Sequence, residues 1–371
     1  MSYLGCDNCT DLGYCEAIVK GIEAVNGQNN TSTRVTPVGT VQALFDPINL
    51  EGASYQEIQG SEGETRKVRV KRIPRGTSSE AVSTLSCDTS TTATYTEQMI
   101  CVTEQASITF EVGLDELRAY CGDTLRVVNG GAGTPLFGDF VSKIMAKMNG
   151  LRSHIDENVI AMIFANAGQN IVTGNNTPTA VPMIQTLDGA KVEKGIQEIV
   201  HQMKENEVYG GFLAIGSGNF DRFNTSAQFG CCNQYGLNWG AMIDSAPYRY
   251  YTDVNVLPIT TIPNLFFALA PGAVQFFFVN DTLVGKQNMD RRHGDSIYGL
   301  VPDPYLPGLN YDIAIQETNC SGGSRQPKWQ ISMYLQYGLA FIPDNAFGAG
   351  DRLRNGSGIS NGVFLYEATS I

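Results

Sequence analysis

The sequence has few charged residues, few histidines and no long apolar run. Asp, Glu, Lys and Arg make up 17% of the 371 residues, below the roughly 25% that is usual in globular proteins. Three histidines leave few possible bases for a catalytic triad. No stretch approaches the ~20 consecutive apolar residues of a membrane span, and no basic region precedes the first apolar run, so we expect neither a membrane segment nor a signal peptide. The low charge and the 40 glycines suit a protein with much surface in subunit contacts.

The basic residues are concentrated in one short segment, residues 66–75. The net charge is −12, yet six of the 25 basic residues fall in this segment: Arg66, Lys67, Arg69, Lys71, Arg72 and Arg75. Outside it, 19 basic residues face 37 acidic ones. An acidic protein with one basic segment is a poor general binder of nucleic acid. It is well suited to pairing with an acidic patch on an identical neighbour.

The basic segment has the pattern of an exposed strand. Lys67, Arg69 and Lys71 alternate with two valines, so a strand here would be charged on one face and thinly apolar on the other. Such a strand cannot lie in a core, and it predicts a hairpin that projects from the body of the protein. We interpret its basic residues as inter-subunit contacts. Contact with nucleic acid, for which interleaved stacking aromatics are missing, and a merely solvated strand remain the alternatives.

A half-buried strand and an unusually long helix follow. Residues 106–112 alternate apolar and polar side chains, which is typical of a half-buried strand. From about 136 to 166, apolar residues recur almost always at steps of three or four: Phe137, Phe140, Val141, Ile144, Met148, Leu151, Ile155, Val159 and Met162. At ~1.5 Å per residue this helix spans roughly 45 Å. The mean helix has only ~11–12 residues, so this one is predicted to be a structural spine.

The last part of the chain contains a long alternating strand at 329–341. At ~3.3 Å per residue it spans roughly 40 Å, close to the length of the helix. We therefore expect the apolar stripe of the helix to pack on the apolar face of this strand. That face carries Ile331, Met333, Leu335 and Leu339. The intervening residues 171–305 are predicted to form a mixed α/β region with a buried strand at 212–215.

No motif in the sequence indicates catalysis or a cofactor. Gly131-x-Gly133 imitates a dinucleotide fingerprint, but the third glycine is missing and Pro135 lies in the loop. Gly216-Ser217-Gly218 lacks the Gly-x-Ser-x-Gly elbow of a hydrolase. We expect no catalytic residue, no cofactor-binding residue and no cofactor.

Cysteine and histidine do not indicate a metal site either. Nine cysteines leave at least one unpaired within the chain, and free thiols are the default without secretion. Cys6-x2-Cys9-x5-Cys15 resembles part of a zinc site, but no fourth ligand is near. His154 and His201 fall on predicted helices as solvent-facing or packed residues, and His293 falls in a polar turn. We expect no metal; reduced thiols and late-formed disulfides both remain open.

The order of these elements resembles the major capsid proteins of tailed bacteriophages, which have the Hong Kong 97-type fold. The return 335–343, Leu-Gln-Tyr-Gly-Leu-Ala-Phe-Ile-Pro, is similar to the family's late strand that ends in proline. The resemblance implies an α+β fold with a long spine helix, an extended E-loop hairpin, and peripheral and axial domains. The implied segments are 1–37 as N-terminal arm, 38–98 as E-loop region, 99–170 as peripheral domain with the spine helix, 171–305 as axial domain, and 306–371 as return to the peripheral domain with a C-terminal extension.

The chain departs from some family members in two respects. Residues 1–30 are too short for a scaffolding segment, and the start at Met1 leads us to expect no cleavage. Some members also form an isopeptide cross-link from a hairpin lysine. Lys67 and Lys71 could offer amines, but neither can be matched with an asparagine and an acid, so we do not predict the bond.

The resemblance also implies a function. We expect a structural protein without enzymatic activity, which self-assembles as hexamers and pentamers into the icosahedral head that encloses phage double-stranded DNA. Expected partners are separate scaffold, portal and decoration proteins and non-specifically contacted DNA, with no membrane. The expected location is the virion, after assembly in the host bacterial cytoplasm. The alternatives are an encapsulin-like nanocompartment shell and a nucleotide-using α/β enzyme that would rest on Gly131-x-Gly133.

Overall fold

The computed structural model describes residues 38–50, 54–58, 67–72, 96–102, 104–113, 135–168, 170, 176–182, 190–206, 208, 211–217, 248–280, 296–306, 308–318, 328–341 and 361–369. The helices in these ranges are α1 (Gly39–Leu44), α2 (Pro47–Leu50), α3 (Pro135–Ala165), α4 (Ala190–Glu205) and α5 (Val256–Thr260). The strands are β1 (Ser54–Ile58), β2 (Lys67–Arg72), β3 (Thr96–Cys101), β4 (Glu104–Val112), β5 (Thr179–Pro182), β6 (Phe212–Gly216), β7 (Tyr248–Thr252), β8 (Leu265–Leu269), β9 (Val274–Val279), β10 (Ser296–Pro302), β11 (Asn310–Thr318), β12 (Lys328–Phe341) and β13 (Val363–Thr369). These elements confirm the predicted α+β class.

The chain forms two compact units. Of the described residues, the first unit comprises those within Thr103–Ile155 and Phe278–Tyr337, and the second comprises those within Pro37–Val102, Asp156–Phe277 and Gly338–Ile371. Each unit therefore collects segments that are far apart in the sequence. A short helical pattern in the sequence near residues 17–22 lies outside the described residues.

The first unit is built on an antiparallel sheet with the strand order β10-β11-β12-β4. Side chains along β12 alternate between buried and half-buried from Lys328 to Tyr337, as the sequence predicts. On β4, Ala106 and Val112 are buried while the polar residues between them are exposed or half-buried. The sheet consequently has one apolar face, and the paired strands β4 and β12 share it.

The spine helix α3 lies beside this sheet. A Cβ atom at Gly150 would lie 3.8 Å from Cδ1 of Ile108 on β4, an ordinary van der Waals contact. Ile108 is paired with Met333 of β12, and residues paired in this way lie on the same face of a sheet. This contact brings α3 beside the sheet at one point, and the packing of the helix's apolar stripe on the face that carries Met333 stays a prediction.

One residue of the predicted β12 face was assigned wrongly. Leu339 is only half-buried, whereas Ala340 is fully buried. Tyr337 and Gly338 are buried in succession, which shifts the alternation by one residue. The pairing of β12 with β4 ends at Tyr337, opposite Glu104, so the rest of β12 is no longer held in the register that the alternation assumed.

The second unit contains a five-stranded mixed sheet with the order β5-β13-β8-β6-β7. β6 and β8 are buried along their whole length, as predicted for the segment 212–215. A tight turn at Pro271-Gly272 separates β8 from β9, and Gly272 has a positive φ of 69° there, which glycine adopts without strain.

The strands β10 and β13 join sheets other than those that the predicted segments imply. β10 falls in the predicted axial region, but it pairs with β11 because a short turn connects the two strands. β13 falls in the predicted return to the peripheral domain, but it lies between β5 and β8. Its first four residues are all buried, which suits a central strand covered on both faces. The segment boundaries themselves stay predictions.

Candidate functional site

The basic segment forms the central strand of a separate three-stranded sheet. Residues 54–58, 67–72 and 96–101 pair antiparallel in the order β1-β2-β3. Of the predicted contact residues, four lie on β2: Lys67, Arg69, Lys71 and Arg72. Arg66 and Arg75 lie outside the described residues. The predicted hairpin is therefore an antiparallel ribbon with a basic middle strand.

The strand register places mostly uncharged residues opposite the basic residues of β2. The positions directly opposite Lys67 are Ile58 and Cys101, and both are uncharged. The positions opposite Arg69, Gln56 and Met99, are also uncharged. Lys71 is the exception, because Glu97 lies opposite it on β3. The side chain of Arg69 is half-buried and has an interaction within the chain.

In the first unit, a buried ion pair attaches the spine helix to the turn between β10 and β11. The Nε and Nη2 atoms of Arg152 donate hydrogen bonds to the two carboxylate oxygens of Asp303 at 2.8 and 3.1 Å. The guanidinium carbon of Arg152 lies 5.0 Å from the ring centroid of Tyr305, a cation–π contact. Both charged side chains are almost completely buried, at 2% and 0% exposure.

The carboxylate of Asp303 also organises its own turn. It accepts hydrogen bonds from the backbone N–H groups of Tyr305 and Leu306 at 2.8 and 3.1 Å and from the hydroxyl of Tyr311 at 2.8 Å. Burial, followed by the charge of Asp303, raises the pKa of Tyr311 well above its usual value. Asp303 is therefore a structural turn residue.

In the second unit, two carboxyl groups accept hydrogen bonds from backbone N–H groups in the first turn of helix α1. The N-cap residue is Val38, which cannot cap the helix with its side chain. The N–H of Thr40 donates instead to Asp253 Oδ2 at 2.7 Å, and the N–H of Val41 donates to Asp156 Oδ1 at 3.2 Å. Helix α1 is thus held by acidic residues that are distant in sequence.

The chain that follows α1 is attached to the second unit at two further points. Asp46 accepts two hydrogen bonds from Nη1 of Arg249 at 3.1 and 2.9 Å and one from the hydroxyl of Tyr251. Burial, followed by the hydrogen bond to Asp46, raises the pKa of Tyr251 to about 12. Asn49 donates to the backbone carbonyl of Val274 at 2.6 Å. Residues 39–50 therefore form one continuous docked segment.

Three residues that were considered for catalysis, Ser217, His154 and His201, lie within the described residues. Ser217 is buried, and its hydroxyl donates to the carbonyl of Pro263 at 2.9 Å. His154 and His201 are exposed on α3 and α4, as expected. Gly131-x-Gly133, His293 and the N-terminal cysteines lie outside the described residues. Within the described ranges, no cluster of three His, Cys, Asp or Glu residues could hold a metal ion, and no helix is long and apolar enough to cross a membrane.

The sequence analysis missed Arg152 and Asp156 as buried residues. Both continue the inward-facing stripe of α3 at steps of four from Met148, and both are essentially inaccessible to solvent. Their position in this apolar stripe could have shown that they are buried. A charged residue at such a position needs a buried partner elsewhere in the chain.

The described elements follow in the order that the resemblance implies: an antiparallel hairpin sheet, a half-buried strand, a spine helix, a mixed sheet and a returning strand. Several solved structures similar to this chain are phage capsids. A chain of Mycobacterium phage Che8 is 12% identical with a TM-score of 0.40, over 86% of this chain and 93% of that one.

Two further solved structures show the range of this similarity. The capsid asymmetric unit of cyanophage A-1(L) is 12% identical with a TM-score of 0.45, over 92% of this chain and 95% of that one. A virus-like particle from Pyrococcus furiosus is 11% identical with a TM-score of 0.37, over 96% and 98%. No protein-family model and no curated protein matches the chain.

Proposed function

We propose that this chain is a major capsid protein that self-assembles into the icosahedral shell of a tailed bacteriophage around double-stranded DNA. The observation that carries the proposal is the combination of a basic three-stranded ribbon with a 31-residue spine helix and a strand that returns from far along the chain to pair beside it. An extended charged ribbon buries little of its own apolar surface, and it gains stability when it lies on a neighbouring subunit.

The pairing of distant strands in the first unit supports a structural role. β12 pairs with β4 in a continuous register from Trp329 opposite Val112 to Tyr337 opposite Glu104. An ion pair between Lys328 and Glu111, 217 residues apart, lies at the end of this pairing. Beside the spine helix, the side chain of Arg152 holds α3 to the turn that carries Asp303.

The basic ribbon supports an assembly role. Because β2 concentrates basic residues in a chain with a net charge of −12, an acidic surface of an identical subunit is the natural partner of the ribbon. One exposed pair contributes only ~0.2–1 kcal/mol. The same contact repeated over many subunits biases assembly.

The proposal includes the expected absence of enzymatic activity and the expected partners. A shell of hexamers and pentamers places the protein in the virion, with assembly in the bacterial cytoplasm. Separate scaffold, portal and decoration proteins and the packaged DNA complete the set of proposed partners.

Electron microscopy of the expressed full-length protein, alone and in infected cells, tests the proposal. We expect icosahedral shells, filled with DNA in infected cells. Small shells that hold enzyme cargo would replace the phage function with that of a nanocompartment. A protein that stays monomeric and is stabilised against heat by a nucleotide would instead support the enzyme alternative.

Charge reversal tests the role of the ribbon separately. We expect the triple change Lys67→Glu, Arg69→Glu and Lys71→Glu to block shell formation. The changed ribbon would place acidic residues against the acidic surface of the neighbouring subunit, and the two would repel each other. Sedimentation and electron microscopy measure assembly, and circular dichroism checks that the monomer is folded.

A charge-matched triple change serves as the control. Lys143, Lys147 and Lys204 are exposed on α3 and α4, and their reversal to Glu changes the net charge by the same amount. We expect this control to assemble. Normal shells from the ribbon variant would refute the assignment of the ribbon as a contact surface.

A further inference from the structure

The docked segment, residues 39–50, rests on a pair of buried carboxyl groups. Asp156 on α3 and Asp253 after β7 are both 0% exposed. Five donors surround their four oxygens: the N–H and hydroxyl of Thr40, the N–H of Val41, and the N–H and side-chain amide of Asn255. Two of these donors are the backbone N–H groups of Thr40 and Val41, in the first turn of α1. The carboxyl pair is therefore the anchor of the segment.

Among the described residues, Asp253 is the charged group that acts on Asp156, and no cation of these residues balances the pair. Arg249 and Tyr251 on β7 are engaged with Asp46, and α5 contains no ionisable residue. On α3 itself, His154 is exposed and Glu157 is half-buried. Two negative charges at this site would repel each other in a medium of low dielectric constant, which disfavours the doubly ionised state.

We propose that one proton shared by Asp156 and Asp253 holds residues 39–50 in place, and that loss of this proton loosens the segment. In the docked state, the protonated carboxyl of Asp156 donates a hydrogen bond to Asp253 and removes the repulsion. On deprotonation the proton passes to solvent, and two anions must share one buried site. Because the segment ends only a few residues before β1, its docking fixes the chain at the point where the basic ribbon begins.

The direction of the pH dependence follows from the protonation states. Burial and then the charge of Asp253 raise the pKa of Asp156 well above its usual range, despite hydrogen bonds from Asn255 and Val41 that lower it. The docked state therefore binds a proton that the undocked state releases. The equilibrium constant for undocking should rise about tenfold per pH unit, from the usual aspartate pKa of ~4 up to the raised pKa, and should level off above it.

Hydrogen exchange of the full-length protein between pH 5 and 9 tests this proposal. We expect the protection factor of peptides from residues 39–50 to fall about tenfold per pH unit over the window in which Asp156 keeps its proton only when docked. Peptides from β8, in the centre of the mixed sheet, should keep their protection. A wild-type segment with constant protection would overturn the proposal, and so would a parallel loss in β8, which would indicate global unfolding.

Two variants separate the shared proton from other effects. Asp156→Asn stays neutral and can still donate to Asp253, but its amide nitrogen cannot accept the hydrogen bond that one Asp156 oxygen receives from Val41 or Asn255. Its segment should therefore be less protected than the wild type at pH 5, with a flat pH profile. Glu157→Gln removes the same charge at the next position and should keep the wild-type slope. An Asp156→Asn profile as steep as that of the wild type would overturn the proposal. Infrared detection of a protonated carboxyl group in the wild-type protein at pH 7 tests the shared proton without any substitution, and its absence would also overturn it.

Discussion

The ion pair between Arg152 and Asp303 predicts an asymmetric response to substitution. Removing one partner of a buried pair leaves the other charge without compensation, which typically costs ~3–5 kcal/mol. The two partners differ, however, in what remains around them. A comparison of Asp303→Ala with Arg152→Met therefore tests how the spine helix is attached to the first unit.

The remaining contacts set the expected magnitudes. After Asp303→Ala, the described partners left to the buried guanidinium are the side-chain oxygen of Asn149 at 3.3 Å and the ring of Tyr305. We therefore expect a loss of about 4 kcal/mol in the free energy of unfolding. After Arg152→Met, the carboxylate keeps the hydroxyl of Tyr311 and two backbone N–H groups. We expect a smaller loss of about 2 kcal/mol, because these hydrogen bonds still satisfy its oxygens.

Urea unfolding of the unassembled subunit measures both losses. Trp329 is buried on β12 in the first unit and reports its unfolding by fluorescence, in a background where the other tryptophan, Trp239, is replaced by Phe. The exposed pair Lys328–Glu111 is the matched control, with 45% and 59% exposure, and Glu111→Ala should cost less than ~1 kcal/mol. Equal losses for the two buried variants, or losses as small as the control, would refute the reasoning.

Two glycines provide further predictions with opposite signs. Gly39→Ala should destabilise the docked segment by ~1–3 kcal/mol, because its Cβ would lie 2.2 Å from the carbonyl oxygen of Thr252; hydrogen exchange of residues 39–50 should show lower protection at every pH, and unchanged protection would contradict the close approach. Gly150→Ala should stabilise the protein by up to ~1 kcal/mol in urea unfolding, because the nearest atom to the new methyl group, on Ile108, is 3.8 Å away. A loss of stability there would contradict the placement of α3 on the sheet.

The long periodic elements could be predicted from the sequence, and the polar anchors could not. The helix predicted at 136–166 is Pro135–Ala165, and the strand predicted at 329–341 is Lys328–Phe341. Both elements repeat one pattern of apolar residues many times, so the local sequence is enough to predict their type and their approximate bounds. The partner of Arg152 lies 151 residues away, and no local pattern can show which distant carboxylate fills a buried position.

The neighbours of individual strands were also beyond the reach of local patterns. The apolar residues of β13 predict a strand, but they do not show that it lies between β5 and β8. The misassigned Leu339 has a related cause, since alternation was extended past the end of the pairing with β4. The predicted contacts of the basic ribbon with a neighbouring subunit stay a prediction, because they depend on a surface that belongs to another copy.

The late position of β12 and β13 in the chain has a consequence for folding. The sheet of the first unit needs β12 beside β4, and the mixed sheet needs β13 between β5 and β8. During synthesis, therefore, β4, β5 and β8 have unpaired edges until β12 and β13 have left the ribosome. Pairing between strands so far apart in the sequence is slow. A chain that stops before residue 363 would leave β5 and β8 with unpaired backbone groups, ready to bind a strand from another copy. Incomplete chains should consequently aggregate instead of accumulating as folded subunits.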